Sequence, residues 1–452
     1  MSRATPARRV ALDVIRAVRE SDAYANLLLP VRIGRAKLSD ADAGLATELT
    51  YGTLRMQGYY DAVIAIASGR SVDRIDPPIL DVLRLACHQL LSLRVATHAA
   101  VDESVELAKE VGSRSAVGFT NGVLRTISRS NPEEWRERVL ATARSGEEAL
   151  ALEHSHPLWV TRAIRQVLVA EGRESELEAA LIADNVAPRV SLAVLPGLAH
   201  RVELPGTPAP YSPLGVRLSG GDPLRVPAVT EGRARVQDEG SQLAALVLSR
   251  ARPVEPGELW LDLCAGPGGK AALLAAEAAG GGATLIANEV VPARAELVRS
   301  AVAAISPAPE VRVGDGTTVG SEHPAHFDRI LLDAPCTGLG ALRRRPEARW
   351  RKQPGDVAGL GPLQSALLES AIAALKPGGL LAYVTCSPHA AETKSIVASV
   401  LRKHPEVSRL DTPAVLQAIA SEPLDLAPGD HVQLWPHRHG TDAMFIQLLT
   451  KA

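Results

Sequence analysis

Two cysteines in the C-terminal half of the chain each follow a strand-like run of apolar residues. Cys336 closes the segment 333–336, which reads DAPC, and Cys386 lies in the segment 385–388, which reads TCSP. Isolated cysteines are usually buried and inert, but the carboxyl ends of parallel strands meet at the crevice where α/β proteins bind ligands. Two structural cysteines need not occupy both of those places. We therefore predict that the two thiols share one functional site.

The chemistry that two thiols and the carboxylate of Asp333 could perform is covalent methylation of a pyrimidine. Carbon 5 of the ring is too electron-poor to attack a methyl sulfonium directly, but a thiolate that adds to carbon 6 converts the ring into an enamine-like nucleophile. Asp333 could hydrogen-bond the base edge and favour protonation at ring nitrogen 3. The second thiol could act as a general base when the first is released. These residues alone leave open which cysteine attacks.

A glycine-rich loop supplies a second part of the predicted site. It follows a buried strand-like run and opens a helix-like run, and its glycines allow a tight turn close to a ligand. Glu289 stands about twenty residues further on, where a carboxylate can bind both ribose hydroxyls of an adenosine. Asp315 ends the third strand and could meet the adenine amino group. The loop residues predicted to bind the cofactor are Cys264, Ala265, Gly266, Pro267, Gly268, Gly269 and Lys270.

Two kinds of cofactor that contain adenosine could fit this loop. A dinucleotide normally requires Gly-x-Gly-x-x-Gly, whereas the loop at 264–270 reads CAGPGGK. S-adenosylmethionine carries no phosphate, so its site needs no pyrophosphate cradle. The loop therefore favours S-adenosylmethionine over a nicotinamide cofactor, with Asp333 also lining the cofactor site. The alternative for Glu289 and Asp315 is that they are solvated carboxylates at strand ends.

The order of the elements from residue 236 onward predicts how these groups are positioned. Strand-like and helix-like runs alternate, which is typical of a doubly wound, mostly parallel sheet covered by helices. The C-terminal runs DHVQLWPH and AMFIQLLTKA predict two further strands that form an antiparallel edge hairpin. The predicted parallel strands are LWLDLCA, ATLIANEV, EVRVGDG, DRILLDAPC and LLAYVTCS.

Two regions precede this α/β domain of residues 236–452. Residues 1–143 carry apolar residues at three- and four-residue spacing, which predicts an all-α bundle. Residues 144–235 combine two helical runs with short strand-like pieces rich in proline and glycine, which predicts a small α+β connecting module. Within the bundle, Cys87 and His88 are expected to be packing residues.

The composition is that of a globular protein, with 452 residues of which 46% are apolar and 22% are charged. The net charge of −2 shows no global basic character, so any nucleic-acid surface must be a local patch. No run resembles a signal peptide or approaches the ~18 apolar residues of a membrane span. The four cysteines form neither a disulfide framework nor a zinc-type pair. We expect a soluble, cytoplasmic monomer that binds neither a metal, a membrane nor DNA.

The C-terminal half resembles the NOL1/NOP2/Sun family of RNA cytosine-5 methyltransferases. The resemblance implies S-adenosylmethionine as the cofactor, a Rossmann-like class I methyltransferase fold, Cys386 as the nucleophile and Cys336 as the residue that assists release. DNA cytosine methyltransferases instead attack with a Pro-Cys thiol like Cys336, so the reversed assignment is the alternative. The matching segments are VQDEGSQLAAL (236–246), DLCAGPGGK (262–270), NE (288–289), GDG (314–316), DAPCTGLG (333–340) and VTCSPH (384–389).

Two positions depart from the family pattern. The family loop usually reads CAAPGGK, whereas this chain has Gly266, a change that should keep the backbone path. Near the C-terminus the family commonly has Asp-Gly-Phe-Phe, whereas the segment 442–445 of this chain reads DAMF. We interpret that segment as structural.

The helical region resembles the NusB-type RNA-binding domain, on segments such as YGTLR (51–55), HAAVDESVELAKE (98–110) and GFTNGVLR (118–125). The fusion of such a bundle to this catalytic half implies methylation of one cytosine in 16S rRNA before the small subunit is complete. The alternatives are the same chemistry on tRNA or another RNA, and a non-catalytic RNA-binding assembly factor.

A basic segment follows the DAPCTGLG motif and could bind RNA phosphates, with a tryptophan stacking on a base. The alternative is a solvated run of surface charge. The target base must be unpaired or flipped out to reach the crevice. The residues predicted to contact RNA are Arg343, Arg344, Arg345 and Trp350, with Arg8, Arg9 and Arg55 of the helical region.

Overall fold

The structure is a computed structural model that describes residues 4–21 and 23–452. The chain divides into two compact units. The predicted connecting module, 144–235, contributes residues to both, and the predicted domain boundaries remain predictions from sequence. The first unit comprises Met1–Arg162, Leu177–Val186 and Leu342–Arg351, and the second comprises Ala163–Glu176, Ala187–Ala341 and Lys352–Ala452.

Helices form the first unit, as the apolar spacing of residues 1–143 predicted. Their apolar faces meet in a core where Leu49, Tyr60 and Trp135 are fully buried. Cys87 is also fully buried, and the Nδ1 atom of His88 lies 2.9 Å from the Tyr60 hydroxyl, so both residues pack in this core. The helices are α1 (Pro6–Glu20), α2 (Ala25–Ala36), α3 (Asp40–Arg55), α4 (Gln57–Ser68), α5 (Pro77–Leu91), α6 (Thr97–Val111), α7 (Arg114–Ile127), α8 (Pro132–Leu140), α9 (Gly146–Glu153), α10 (Leu158–Ala170), which continues into the second unit, and α11 (Leu177–Ala183).

A small antiparallel sheet opens the second unit and is built from the strand-like pieces of the predicted connecting module. Its strands lie in the order β2-β3-β1-β4. Leu192 of the central strand is opposite Val216 on one side and Val236 on the other. The strands are β1 (Ser191–Val194), β2 (Thr207–Pro208), β3 (Gly215–Arg217) and β4 (Ala234–Val236).

A mixed sheet in the order β10-β12-β9-β8-β5-β6-β7, with β11 beside β12, forms the centre of the second unit. The five predicted strands, β5 to β9, run parallel, which confirms the doubly wound arrangement. The chain order reverses between β5 and β8, so the crevice at their carboxyl ends is the topological switch point. The strands are β5 (Leu259–Asp262), β6 (Thr284–Glu289), β7 (Glu310–Val313), β8 (Phe327–Asp333), β9 (Leu375–Thr385), β10 (Val407–Arg409), β11 (Val432–Gln433) and β12 (Phe445–Lys451).

The two predicted C-terminal strands pair antiparallel, with Val432 opposite Ile446. Strand β11 lies beside β12 at the margin of the sheet, whereas β12 lies between β9 and β10 and is antiparallel to both. The apolar pattern did not predict β10, since only Val407 of its three residues is buried.

The remaining helices mostly cover this sheet. Helix α18 is long and apolar enough to span a membrane by length and composition. Its apolar residues Leu367, Leu368 and Ala371 are buried in a core shared with β8 and β9, as expected of a helix that covers a sheet. The helices are α12 (Pro227–Thr230), α13 (Glu239–Arg250), α14 (Gly269–Gly280), α15 (Pro292–Val302), α16 (Val319–Glu322), α17 (Ala348–Arg351, in the first unit), α18 (Pro354–Ala374), α19 (Lys394–Leu401), α20 (Thr412–Ile419) and α21 (Pro436–His439).

A buried arginine ties the sheet to the end of α13. Arg329 of β8 is fully buried and its Nε atom donates to Glu258 at 2.8 Å. The same guanidinium group donates at 2.7 Å to the carbonyl oxygen of Ser249 and at 2.7 Å to that of Pro253. A cation at this end of a helix satisfies carbonyl groups that have no partner within the helix.

Candidate active site

The two predicted cysteines come together because β8 and β9 are parallel neighbours. Asp333 is opposite Val384, and Cys336 and Cys386 follow these residues in the loops that leave the sheet. Their Sγ atoms lie 3.4 Å apart. The N–H of Gly340 donates to the carbonyl oxygen of Cys386 at 2.8 Å, so the backbone also joins the two loops.

An ion pair lies beside the thiols. Lys270, in the first turn of α14, donates to Asp333 at 2.8 Å, and both side chains are largely buried. Burial lowers the pKa of Lys270, but the charge and hydrogen bond of Asp333 outweigh that effect and raise it. Lys270 is therefore a cation at neutral pH. The sequence placed it in the cofactor loop, whereas the structure directs its ammonium group toward the carboxylate predicted to contact the base.

The two thiols differ in their electrostatic surroundings. A hydrogen bond with Cys336 lowers the pKa of Cys386, and the Lys270 charge acts in the same direction. The pKa of Cys336 is raised by the hydrogen bond with Cys386, by burial and by the charges of Cys386, Glu392 and Asp333. Of the two thiols, Cys386 is thus the one that ionises more readily, and its thiolate can accept from the thiol of Cys336.

The predicted cofactor loop follows β5 and leads into α14. Gly268 has a φ of +102°, and a Cβ atom there would lie 2.5 Å from the Cβ atom of Ala301, so both conformation and space require glycine. A Cβ atom on Gly266 would meet Oε2 of Glu289, which instead accepts the Gly266 N–H at 3.0 Å. Neighbouring groups of the protein therefore fill the space that a side chain would need at both glycines.

Glu289 and Asp315 stand at the strand ends where the sequence placed them. Glu289 is buried, and besides Gly266 it accepts the N–H of Val291 at 2.9 Å. Asp315 is exposed, and the Thr317 backbone N–H and hydroxyl hold its carboxylate and lower its pKa. The two carboxylates are therefore fixed by local hydrogen bonds, with acceptor capacity left for a ligand.

Asp262 is a buried carboxyl group that sequence reasoning missed. It ends β5, directly before the cofactor loop, and neither of its oxygens has a hydrogen-bond partner at bonding geometry among the described residues. Burial raises its pKa to about 8, with the charge of Asp333 adding to the effect. Buried polar atoms are normally paired, so this group is suited to a ligand that donates to it.

Glu392 and Asn288 are two further residues to which the sequence assigned no individual role. Glu392 is fully buried and accepts hydrogen bonds from both cysteine loops. Asn288 donates at 3.1 Å to the carbonyl oxygens of Leu263 and Gly314, which joins the loops after β5 and β7. Of these, only Asn288 lay within a matched motif.

Three of the arginines predicted to contact RNA are largely buried. Arg8, Arg55 and Arg343 are each only 7% exposed. Arg8 donates to Gln89 at 2.7 Å, and Arg55 donates to the carbonyl oxygen of Arg343 at 3.3 Å. Burial of this degree leaves little surface for a phosphate. RNA contact at these three positions stays a prediction from the sequence.

The remaining predicted RNA residues have varied exposure. Arg345 is exposed and its guanidinium group lies 5.1 Å from the centre of the Tyr24 ring. Arg9 is partly exposed and forms an ion pair with Glu110, and Arg344 is half-buried. Trp350 is also half-buried, and its ring occupies the space above Gly58 in the first unit.

Among residues 4–21 and 23–452, no group of three or more histidine, cysteine, aspartate and glutamate side chains is arranged to hold a metal ion.

Comparison with known families matches both halves of the chain. The family described as 16S rRNA methyltransferase RsmB/F matches residues 251–450, and the NusB family matches residues 5–129. The first match contains the cofactor loop, both cysteines and Glu392.

Full-length relatives are similar over almost the whole chain. A putative methyltransferase of Mycobacterium tuberculosis is 48% identical over 99% of this chain and 96% of its own. A probable ribosomal RNA small subunit methyltransferase B of Bacillus subtilis is 30% identical over 99% of both chains. The crystal structure of the protein PH0851 has the same fold, with a TM-score of 0.81 over 100% of both chains at 24% identity.

Proposed function

This chain belongs to the RsmB/F family of 16S rRNA methyltransferases, and from that premise we propose that it methylates carbon 5 of a cytosine in 16S rRNA through a covalent intermediate. The observation that carries the proposal is the pair of thiols, 3.4 Å apart, beside the ion pair of Lys270 and Asp333. A methyl transfer to oxygen or nitrogen needs no thiol nucleophile, whereas addition to carbon 6 of a pyrimidine does.

The residues around the loop after β5 suit S-adenosylmethionine. The loop makes the tight turn from β5 into α14 at the carboxyl end of the strand, and Glu289 retains acceptor capacity for ribose hydroxyls. The unpartnered carboxyl oxygens of Asp262 suit an ammonium group. Asp315 is the candidate for the adenine amino group. When bound, the cofactor supplies an electrophilic methyl group.

Cys386 is the nucleophile in this proposal. The cation of Lys270 and the hydrogen bond with Cys336 both favour its thiolate, which is the reactive form of a cysteine. Cys336 has no such support, because the charge of Glu392 opposes its ionisation. These surroundings support the assignment implied by the family resemblance over the reversed one.

Asp333 and Lys270 act on the base. Oδ2 of Asp333 is held by Lys270, which leaves Oδ1 to hydrogen-bond the edge of the cytosine. The ammonium group of Lys270 is a proton source close to that edge, so the pair can deliver a proton to ring nitrogen 3 as the thiolate adds to carbon 6. Protonation there removes the negative charge that addition would otherwise leave on the ring.

Cys336 becomes a base only after Cys386 has reacted. The largest influence raising the pKa of Cys336 is its hydrogen bond with Cys386. When Cys386 is bonded to carbon 6 its sulfur is no longer an anion, so this influence is lost. Cys336 can then lose its proton to solvent, and its thiolate removes the proton from carbon 5. The bond to Cys386 breaks as the ring double bond re-forms, the proton on ring nitrogen 3 returns to the pair of Lys270 and Asp333, and the methylated base leaves.

The substrate follows from the family and from the NusB-type region. The description of the matching family gives 16S rRNA as the substrate, and the name of the Bacillus subtilis relative gives the RNA of the small ribosomal subunit. Free rRNA, before the subunit is complete, offers the target base unpaired or easily flipped. We infer a cytoplasmic monomer that acts on this RNA and not on DNA, with Arg9, Arg344, Arg345 and Trp350 as candidate RNA contacts.

The experiment that tests this function is methyl transfer from labelled S-adenosylmethionine to unmodified 16S rRNA. Bisulfite sequencing of rRNA and tRNA from a deletion strain then identifies the base and the RNA. We expect one unmethylated cytosine in 16S rRNA and no change in tRNA. Transfer to tRNA alone would select the alternative substrate. No transfer to any RNA by the purified protein would support a non-catalytic assembly factor.

A further inference from the structure

We propose that Glu392 is a positioning residue that ties the two cysteine loops together and places its charge beside Cys336 rather than Cys386. The inference rests on the proposed covalent function of the two thiols. Glu392 ends the short 3-10 turn Ala390–Glu392, a few residues after Cys386, and its side chain is fully buried.

The carboxylate is held by both cysteine loops at once. The backbone N–H of Thr337 donates to Oε1 at 2.7 Å, and the Thr337 hydroxyl donates to Oε2 at 2.5 Å. The hydroxyl of Ser387 donates to the same Oε2 atom at 2.6 Å. Thr337 directly follows Cys336, and Ser387 directly follows Cys386. The distance between the two thiols is therefore set by groups that share one acceptor.

A third element joins this arrangement from α18. The side-chain amide of Gln364 donates to the carbonyl oxygen of Pro335 at 2.9 Å and lies 3.4 Å from Oε1 of Glu392. The hydroxyl of Tyr383 donates to the carbonyl oxygen of Glu392 at 2.9 Å, which fixes the backbone of the turn to β9. The carboxylate is thus immobilised on both sides, and its rotation away from the thiols would leave several buried donors unpaired.

The donors that hold Glu392 are hydroxyl, amide and backbone N–H groups, all of them neutral. Burying a carboxylate costs free energy that such hydrogen bonds only offset. Glu392 donates no proton in these contacts and accepts two of the hydrogen bonds from Thr337, the residue after Cys336, and it is among the groups that raise the pKa of Cys336. Asp333 acts on both thiols, whereas Lys270 and Asp442 are among the charged groups that act on Cys386.

Removal of the charge alone tests this arrangement. Glu392→Gln keeps the size of the side chain, Glu392→Asp keeps the charge, and Glu369→Gln is a matched control at a surface ion pair with Lys403. Each full-length variant is alkylated with iodoacetamide at several pH values, without RNA, and the labelled cysteines are quantified by mass spectrometry. We expect the labelling ratio of Cys386 to Cys336 at neutral pH to fall about tenfold in Glu392→Gln. It should recover at least partly in Glu392→Asp and stay unchanged in Glu369→Gln.

Thiol spacing is measured separately with phenylarsine oxide, which condenses with two neighbouring thiols to form two arsenic–sulfur bonds and release water. Ser387→Ala and Thr337→Val each remove one hydroxyl donor and leave the Glu392 side chain in place. They therefore still test whether Glu392 holds the two cysteine loops if the Glu392→Gln variant does not fold. We expect weaker arsenical binding and slower methyl transfer in both, with cofactor affinity unchanged. Wild-type labelling ratios in Glu392→Gln, or wild-type arsenical binding in Ser387→Ala, would overturn the inference.

Failure of the covalent function gives a different pattern. If neither the wild-type protein nor Cys336→Ala forms an RNA adduct, the proposed function fails, while the labelling ratio still reports the role of Glu392. If adducts form normally in Glu392→Gln with an unchanged labelling ratio, the positioning role alone is wrong.

Discussion

Replacing Cys336 with alanine should trap the protein on its RNA, because the residue proposed to assist release is missing. The adduct should nevertheless form more slowly than it would with an unchanged Cys386 thiolate. The substitution removes the hydrogen bond that Cys336 makes to Cys386 across 3.4 Å. A hydrogen bond to a charged acceptor contributes about 1.5–3 kcal/mol, and the thiol is a weak donor, so the low end applies. Loss of about 1.5 kcal/mol lowers the population of the Cys386 thiolate about tenfold at a pH below its pKa.

The sign of the pH dependence follows from that loss. Because the hydrogen bond with Cys336 lowers the pKa of Cys386, its removal raises that pKa. Adduct formation needs the thiolate, so its rate in Cys336→Ala should increase about tenfold for each pH unit until the raised pKa is passed. Release needs the base that is missing, so the adduct should persist after denaturation at every pH.

The assay incubates each variant with labelled 16S rRNA and S-adenosylmethionine and measures the retarded band on a denaturing gel as a function of time and pH. Cys336→Ser is the matched control, since its hydroxyl can still donate to the Cys386 thiolate. It should form the adduct faster than Cys336→Ala near neutral pH and equally fast in alkali. Cys386→Ala should form none.

Two results would refute different parts of this reasoning. An adduct in Cys386→Ala and none in Cys336→Ala would reverse the roles of the two thiols while leaving the reaction intact. Equal adduct rates in Cys336→Ala and Cys336→Ser across the pH range would mean that the hydrogen bond does not stabilise the Cys386 thiolate.

Three further substitutions test the parts of the fold that hold the site. Arg329→Met removes the buried ion-pair partner of Glu258, which keeps only the more distant Arg252 and the donor Trp260, and should lower the free energy of unfolding in urea by about 3 kcal/mol. Gly268→Ala forces a residue with φ of +102° toward Ala301 and should destabilise the protein by about 1–3 kcal/mol and weaken binding of S-adenosylhomocysteine in calorimetry. Since the pKa of Asp262 is raised from 3.8 to about 8, stability of the ligand-free protein should fall as pH rises through that range. Asp262→Asn should remove this part of the slope in thermal unfolding.

The sequence predicted the parallel strands and most helices because their signals are local. Each strand from β5 to β9 is a short apolar run, and the helices α14, α15 and α18 between them have their own periodicity. The strand β10 was missed because two of its three residues are exposed, so it carries almost no apolar pattern. The position of β12 between β9 and β10 could not be predicted from the sequence either, since its pairing with β10 joins segments that only the folded chain brings together.

The basic segment that follows the DAPCTGLG motif shows a case in which a clear sequence pattern did not predict burial. A run of basic residues next to a catalytic motif has the same pattern whether it faces solvent or packs in a core. Arg349 is fully buried, and it donates at 3.0 Å to the carbonyl oxygen of Ser155 and at 2.8 Å to the side chain of Asn185. Partners so distant in sequence cannot be read from the segment itself, and burial at Arg343 was therefore not foreseen.

The division of labour between the two thiols has the same origin. Cys336 and Cys386 are alike as residues and stand at equivalent strand ends, so their own motifs cannot distinguish them. What distinguishes them is charge brought from elsewhere, with the cation of Lys270 acting on Cys386 and the carboxylate of Glu392 acting on Cys336. The lysine that ends the glycine-rich motif extends to Asp333. In the proposed reaction, one loop at the switch point between β5 and β8 would thus serve both the methyl donor and the nucleophile.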